Sequence, residues 1–340
     1  MKKIELTDLL KYRFLSGVRY SPNEKVAAFV LKYADEKKNS YPSFIYVVEN
    51  GKVRQLTGLG KEGSFFFEDD ENILFVASRS DDEKESAKAG NEETTYYRIN
   101  IHGGEAVKAF TLPLSATIND RIDKTRLLID GHFDIDYPEY YKMSAKERKA
   151  VAEKVKEEKD YQVVTETPFY FNGAGYVNKK RSGLFIYDMK SKKIERITDD
   201  KFDVHDSIIL NGCIYYLGGS FTVVRPMNPQ VYKYDLKTKK TSCLNFGEEL
   251  RFGGLTAIDN KLIILGNDEK KHGLNQDEAL YTIDESNGKI KKFFEPDRSY
   301  WDSVGTDCAL GGGRGMIEGE KLHYISTRRN ASEIFSLDKS

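Results

Sequence analysis

The chain has 340 residues, 39% of them hydrophobic and 12% aromatic, enough to bury a sizeable core and long for one ordinary domain. Its 53 basic and 54 acidic residues leave a formal charge of −1, which removes the field that nucleic acid or an anionic membrane would require, and no run approaches the roughly 18 apolar residues of a membrane helix. Cys213, Cys243 and Cys308 are widely separated and odd in number, so they read as reduced thiols rather than a disulfide framework or a C-x-x-C metal site.

The opening "MKKIELTDLLKYRF" meets Glu5 and Asp8 before a signal-peptide run develops, which makes the chain cytoplasmic on this reading. A short helix is expected at Asp8 to Tyr12 behind Thr7 as N-cap. One pattern then recurs along the chain: apolar, aromatic, any residue, apolar, and usually an acid or amide. It appears as "IYVVE" at Tyr46, "YYRIN" at Tyr97, "LFIYD" at Phe185, "VYKYD" at Tyr232, "LYTID" at Tyr281 and "IFSLD" at Phe335. Each copy follows a second apolar run behind a polar turn: "NEKVAAFVL", "DENILFVAS", "DKTRLLIDG", "NGCIYYLGG", "DNKLIILGN" and "GEKLHYIST". Each of the first five copies leads through a short turn into a further strand, as in "NGKVRQLT", "SKKIERIT" and "NGKIKKFF", where Gly or Asn is expected to supply positive φ.

The unit is therefore an antiparallel meander of three to four strands, and all intervals but the one from Tyr97 to Phe185 are close to about 50 residues. That is the signature of β-propeller blades, six of them recognisable; the lack of a WD dipeptide and the single Trp301 argue against the WD40 class. The expected fold is all-β, one propeller domain over 1–340. The long interval holds a helical insertion at about 137–160. Within it "SAKERKAVAEKVKEEKD", Ser144 to Asp160, opens with a capping box of Ser144 and Glu147 and is the one helix of length that the pattern indicates. Val151 and Val155 give it a narrow apolar stripe, suited to a solvated surface excursion or, less economically, to a docking helix.

The chemical candidates are weak. "TPFYFNGAGYVNKKRSGLFIYD" carries Gly173-Ala174-Gly175 after an apolar run, but a dinucleotide cradle needs a third glycine, where Asn178 stands, and a following helix, where a strand is expected. A glycine turn between two strands is the better reading. "GGGRG", Gly311 to Gly315, likewise precedes a turn and a strand. His132, Asp134 and Asp136 share a face of an extended segment, a row that could hold a divalent cation but more simply ends a strand. "DVHD", Asp203 to Asp206, reads as a surface loop. No G-x-S-x-G elbow occurs, so no catalytic residue is assigned, and neither a metal nor a cofactor is indicated.

Two passages carry a resemblance. "LTDLLKYRFLSGVRYSPNEKVAAFVL" and "TETPFYFNGAGYVNKKRSGLFIYDMKSKKIERIT" resemble the propeller of acylaminoacyl peptidase-like members of the prolyl oligopeptidase family, departing from it at Asn23-Glu24 and at Tyr170. The resemblance makes Pro168, Phe169, Tyr170, Phe171, Asn172, Gly173, Gly175 and Tyr176 a structural motif of the family. It implies a seven-bladed propeller preceding an α/β-hydrolase domain with serine, aspartate and histidine, which this chain does not contain. The implied role is substrate gating for a serine peptidase, with that domain as partner and short peptides passing transiently. Such a chain would be incomplete at its C-terminus, its sixth repeat ending before a final strand. A stand-alone scaffold binding a protein or peptide is the alternative; the periplasmic propellers fit less well, for want of a signal peptide.

Overall fold

The computed structural model describes residues 3, 5–245, 250–298, 300, 316–318 and 321–338. Trp301, Cys308 and the Gly311 to Gly315 run lie outside the described residues. The described residues form two compact units, one up to Pro113 and one from Leu114 onward.

The first unit holds two four-stranded antiparallel sheets. One comprises β1 (Phe14–Tyr20), β2 (Val26–Lys32), β3 (Ser43–Glu49) and β4 (Lys52–Gln55). The other comprises β5 (Phe65–Phe67), β6 (Asn72–Val76), β7 (Thr94–Asn100) and β8 (Val107–Leu112), with helix α1 (Asp81–Lys88) between β6 and β7. Val30, Ile45 and Val47 of one sheet pack on Phe67, Ile73 and Phe75 of the other, so the core of this unit is the interface between two sheet faces.

The second unit continues the scheme. Its first sheet is built from β9 (Ser115–Arg121) and β10 (Arg126–Asp134); after an insertion carrying α2 (Ala145–Glu157) and the hairpin β11 (Tyr170–Phe171) and β12 (Gly175–Tyr176), it is completed by β13 (Lys180–Asp188) and β14 (Lys193–Arg196). The next sheet is β15 (Phe202–Leu210), β16 (Cys213–Ser220), β17 (Gln230–Asp235) and β18 (Lys240–Cys243). It is followed by β19 (Arg251–Ile258), β20 (Lys261–Asn267), β21 (Ala279–Asp284) and β22 (Lys289–Phe294). The last sheet is three-stranded: β23 (Met316–Glu318), β24 (Lys321–Arg328) and β25 (Ala331–Leu337). Successive sheets bury apolar layers between them, Leu184 and Phe202 with Tyr216, then Leu217 and Phe252 with Ile264, then Leu265 and Leu280 with Tyr324.

The fold is thus an all-β propeller type with four-stranded blades and two α-helices among the described residues. Among the described residues five sheets have four strands and one has three, so the expected count of six blades is not confirmed. The recurrent motif lies on the third strand of each sheet, and its terminal acid or amide has a structural job. The Asp188 carboxylate accepts from the backbone N–H of Lys190 (2.9 Å) and Ser191 (2.7 Å), and Asp235 accepts from Lys237 (3.0 Å) and Thr238 (2.6 Å). Asp284 and Asn100 do the same two residues on. These side-chain turns hold the reversal into the fourth strand, which is why two of them tolerate Lys192 and Lys239 at φ 57° where glycine or asparagine was expected.

Four further expectations change. The opening turn is a 3-10 helix at Leu6–Lys11, beginning two residues earlier and ending one earlier than expected, with Asp8 accepting the N–H of Glu5 (2.9 Å). Helix α1 was not anticipated, although Ser80 and Glu83 form the same capping box as Ser144 and Glu147. On α2 the one buried side chain is Ala152, while Val155 faces solvent. "DVHD" is no loop: it lies in β15, with a bulge between Val204 and Asp206, because Asp203 and Asp206 both accept backbone N–H groups of neighbouring sheets.

Candidate functional site

In every four-stranded sheet the first-to-second and third-to-fourth connections are short, whereas the second-to-third connections are long: residues 33–42, 77–93, 135–179, 221–229 and 268–278. In an antiparallel meander these long connections leave from one end of the sheet. In the second unit three of them carry side chains that meet.

The first component is the 163–179 hairpin, anchored from beneath. Arg181, wholly buried on β13, pairs with the buried Glu166 through two hydrogen bonds of 3.0 and 2.7 Å, donates to the carbonyls of Phe221 (3.1 Å) and Lys201 (3.2 Å), and lies 3.6 Å from the centre of the Phe221 ring. Burial would raise the Glu166 pKa, but Arg181 and the Lys179 N–H hold it below the ordinary value. Asn178 accepts from the N–H of Thr165 and Glu166 and donates to the Val163 carbonyl (2.9 Å). Thr167 in turn bridges to the 221–229 connection, its N–H donating to Val223 and its carbonyl accepting from Arg225.

Above this base the predicted family motif forms a two-stranded turn. Pro168 follows a cis peptide, Tyr170 pairs with Tyr176 and Phe171 with Gly175, and Asn172, Gly173 and Ala174 make the bend. Gly173 (φ 82°) and Gly175 (φ 74°) are left-handed, as a glycine turn requires, and the next element is a strand. Phe169, Tyr170, Phe171 and Tyr176 are all more than 40% exposed, as are Val223, Val224 and Met227 on the adjoining connection. This is a contiguous run of apolar side chains facing outward.

The second component is ionisable. Asp203 accepts the Ser182 N–H (2.9 Å) and forms an ion pair with Arg225, whose guanidinium lies 5.9 Å from the Phe171 ring. His205 Nε2 is 3.8 Å from Asp203; burial lowers its pKa, which Asp203 opposes and Arg225 reinforces. His205 opens onto a cleft of about 450 Å³ between β15, β19 and the 268–278 connection, whose walls include Met227, Arg251, Gly253, Glu278 and Tyr300. No serine, threonine or cysteine among the described residues hydrogen-bonds His205, so the arrangement can hold a ligand but offers no activated nucleophile.

His132, Asp134 and Asp136 do not converge: His132 shares a hydrogen bond with Ser182 (3.1 Å), Asp134 accepts the Asp136 N–H, and Asp136 pairs with Lys179 (2.6 Å). Sequence reasoning missed Glu278, Arg251 and Gly253 altogether, because no motif links residues from different sheets.

Neither the family models nor the curated proteins match this sequence. Solved structures do. The acylaminoacyl peptidase of Pyrococcus horikoshii superposes with a TM-score of 0.66 at 15% identity, over 97% of this chain and 45% of that one. The fold is that of the peptidase β-propellers. The propeller domain of the Trilobed protease from Pyrococcus furiosus is similar at a TM-score of 0.55 and 17% identity, over 96% of this chain and 82% of that domain. A prolyl endopeptidase gives 0.56 at 10% identity, over 96% and 39%. The propeller described here thus spans less than half the length of the acylaminoacyl peptidase and prolyl endopeptidase chains it resembles.

Proposed function

We propose that this chain is the substrate-gating propeller, a single domain over residues 1–340, of a cytoplasmic serine peptidase of the acylaminoacyl or oligopeptidase type. On this reading it limits the entry of short peptides to an α/β-hydrolase domain that these residues do not include. The observation that carries the reading is the likeness in fold over 97% of the chain to an acylaminoacyl peptidase of which it spans 45%. The hairpin motif supports it: Arg181 and Glu166 fix the turn rigidly while its aromatic side chains stay outside the core, as a surface covered by a further domain would have them. The role rests on shape and on access, not on a nucleophile carried by the propeller.

The test is the coding sequence downstream of codon 340, read for a strand-to-helix G-x-S-x-G, together with activity. The 340-residue chain alone should neither hydrolyse chromogenic acyl-amino-acid and short peptide substrates nor react with a fluorophosphonate probe. Stoichiometric labelling of one serine would overturn the gating reading. A frame that ends at Ser340 would favour the scaffold alternative, for which the exposed aromatic hairpin is the natural contact.

A further inference from the structure

The cleft between the fourth and fifth sheets is of ligand size, since small-molecule sites run from about 300 to 1,000 Å³. Its charges are not balanced. Arg251 spends its guanidinium on Glu269 (3.3 Å), and Arg225 at the rim is held by Asp203. Burial lowers the His205 pKa against the pull of Asp203, which favours its neutral form. Glu278 is different. Half-buried just before β21, it accepts no hydrogen bond from any described residue, and burial raises its pKa against the pull of Arg251, with Asp277 adding to the rise.

The backbone makes room for this carboxylate. A Cβ on residue 253 would stand 1.8 Å from Glu278 Oε1, so the acid occupies the space that only glycine leaves open. A carboxylate that burial partly strips of water, and that no described donor meets, gains from a ligand that brings a charge-assisted donor. Met227 and Leu274 line the same cleft and are exposed, an apolar wall suited to a methylene stem.

We propose that this cleft binds an organic cation, an ammonium or guanidinium group carried by a peptide, with the Glu278 carboxylate as its counter-ion. The site needs no hydrolase domain and stands whether or not the gating reading holds.

Calorimetric titration of the full 340-residue chain at about pH 7.5 tests it with four probes: Nα-acetyl-lysine methylamide, Nα-acetyl-arginine methylamide, Gly-Gly-amide and the neutral Nα-acetyl-norleucine methylamide. At least one cationic probe should saturate below about 10 mM, and the norleucine probe should bind at least about tenfold more weakly. The probe that binds best separates a side-chain ammonium, a guanidinium and a free N-terminus. Glu278→Gln should lose about tenfold or more, and so should Gly253→Ala, which displaces the carboxylate by its flexible end and leaves the strand intact. Absence of saturation by all three cations, equal binding of norleucine, or undiminished binding by a folded Glu278→Gln or Gly253→Ala protein would overturn the proposal.

Discussion

Arg181 is the residue on which the hairpin depends. Its guanidinium and the Glu166 carboxylate are 0% and 2% exposed, so each neutralises a charge that water cannot reach. Removing one partner of such a pair costs on the order of 3–5 kcal/mol because the other is left buried and charged. Arg181→Met should therefore lower the urea midpoint of the second unit sharply, whereas the double replacement with Glu166→Leu should recover much of the loss; equal loss in both would mean that the Phe221 and Lys201 carbonyl bonds matter more than the pair. Gly175 acts differently. At φ 74° with nothing within 4 Å of an added Cβ, Gly175→Val meets no clash and pays only for the left-handed backbone, about 1 kcal/mol or more. A lower melting temperature with cleft-probe binding unchanged is expected, and an unaltered melt would show that the bend relaxes. The turn was legible because two glycines after an aromatic run, with a strand behind them, leave little else to form. The cleft was not, since His205, Gly253 and Glu278 belong to β15, β19 and the 268–278 connection and meet only when the sheets stack.

At the scale of elements, the two helices show how local signals divide. Helix α2 was legible from Ser144 and Glu147 because good helix formers follow, whereas α1 bears the same box at Ser80 and Glu83 but is eight residues long with no buried side chain, so no stripe announced it. Its real anchor is tertiary. Burial would raise the Glu83 pKa, yet hydrogen bonds from the Arg79 and Ser80 N–H groups, from Lys108 (3.0 Å) and from the Tyr97 hydroxyl (2.8 Å) bring it from the ordinary 4.5 to about 2. A folded-state pKa below the unfolded one stabilises above the unfolded value, and this contribution is lost as pH falls from about 4.5 to about 2. With its side chain 10% exposed, the contribution is on the order of 2–3 kcal/mol. Glu83→Gln keeps the capping geometry and removes the charge, so the first unit should be less stable at pH 7 and its acid limb between those values should flatten. An unchanged acid limb in melts from pH 7 to pH 2 would assign the loss to other carboxylates. The first strands of the sheets were also illegible: β1, β5 and β9 carry no shared motif, and it is the second and third strands, paired on both edges, that keep apolar runs long enough to recognise.

For the whole molecule, the repeating strand pattern was readable but the number of blades was not: among the described residues five four-stranded sheets stand where six blades were expected. In the five four-stranded sheets the third strand is covered by a fourth, and the fourth is the polar one: β4, β14 and β18 alternate or expose their side chains. Among the described residues β25 has no such cover, and it presents Ile334, 76% exposed, along a seven-residue strand. Long apolar edges invite pairing with another chain, and propellers ordinarily keep their edges short and protected. The 340-residue chain should therefore self-associate through β25, its weight-average mass by light scattering rising with concentration. Ile334→Lys places a charge on the edge and should return the protein to monomer without lowering its melting temperature, because the isoleucine is not in the core. A monodisperse monomer from the unaltered chain, or association that Ile334→Lys leaves untouched, would show that the edge is already protected and that six sheets suffice as they stand.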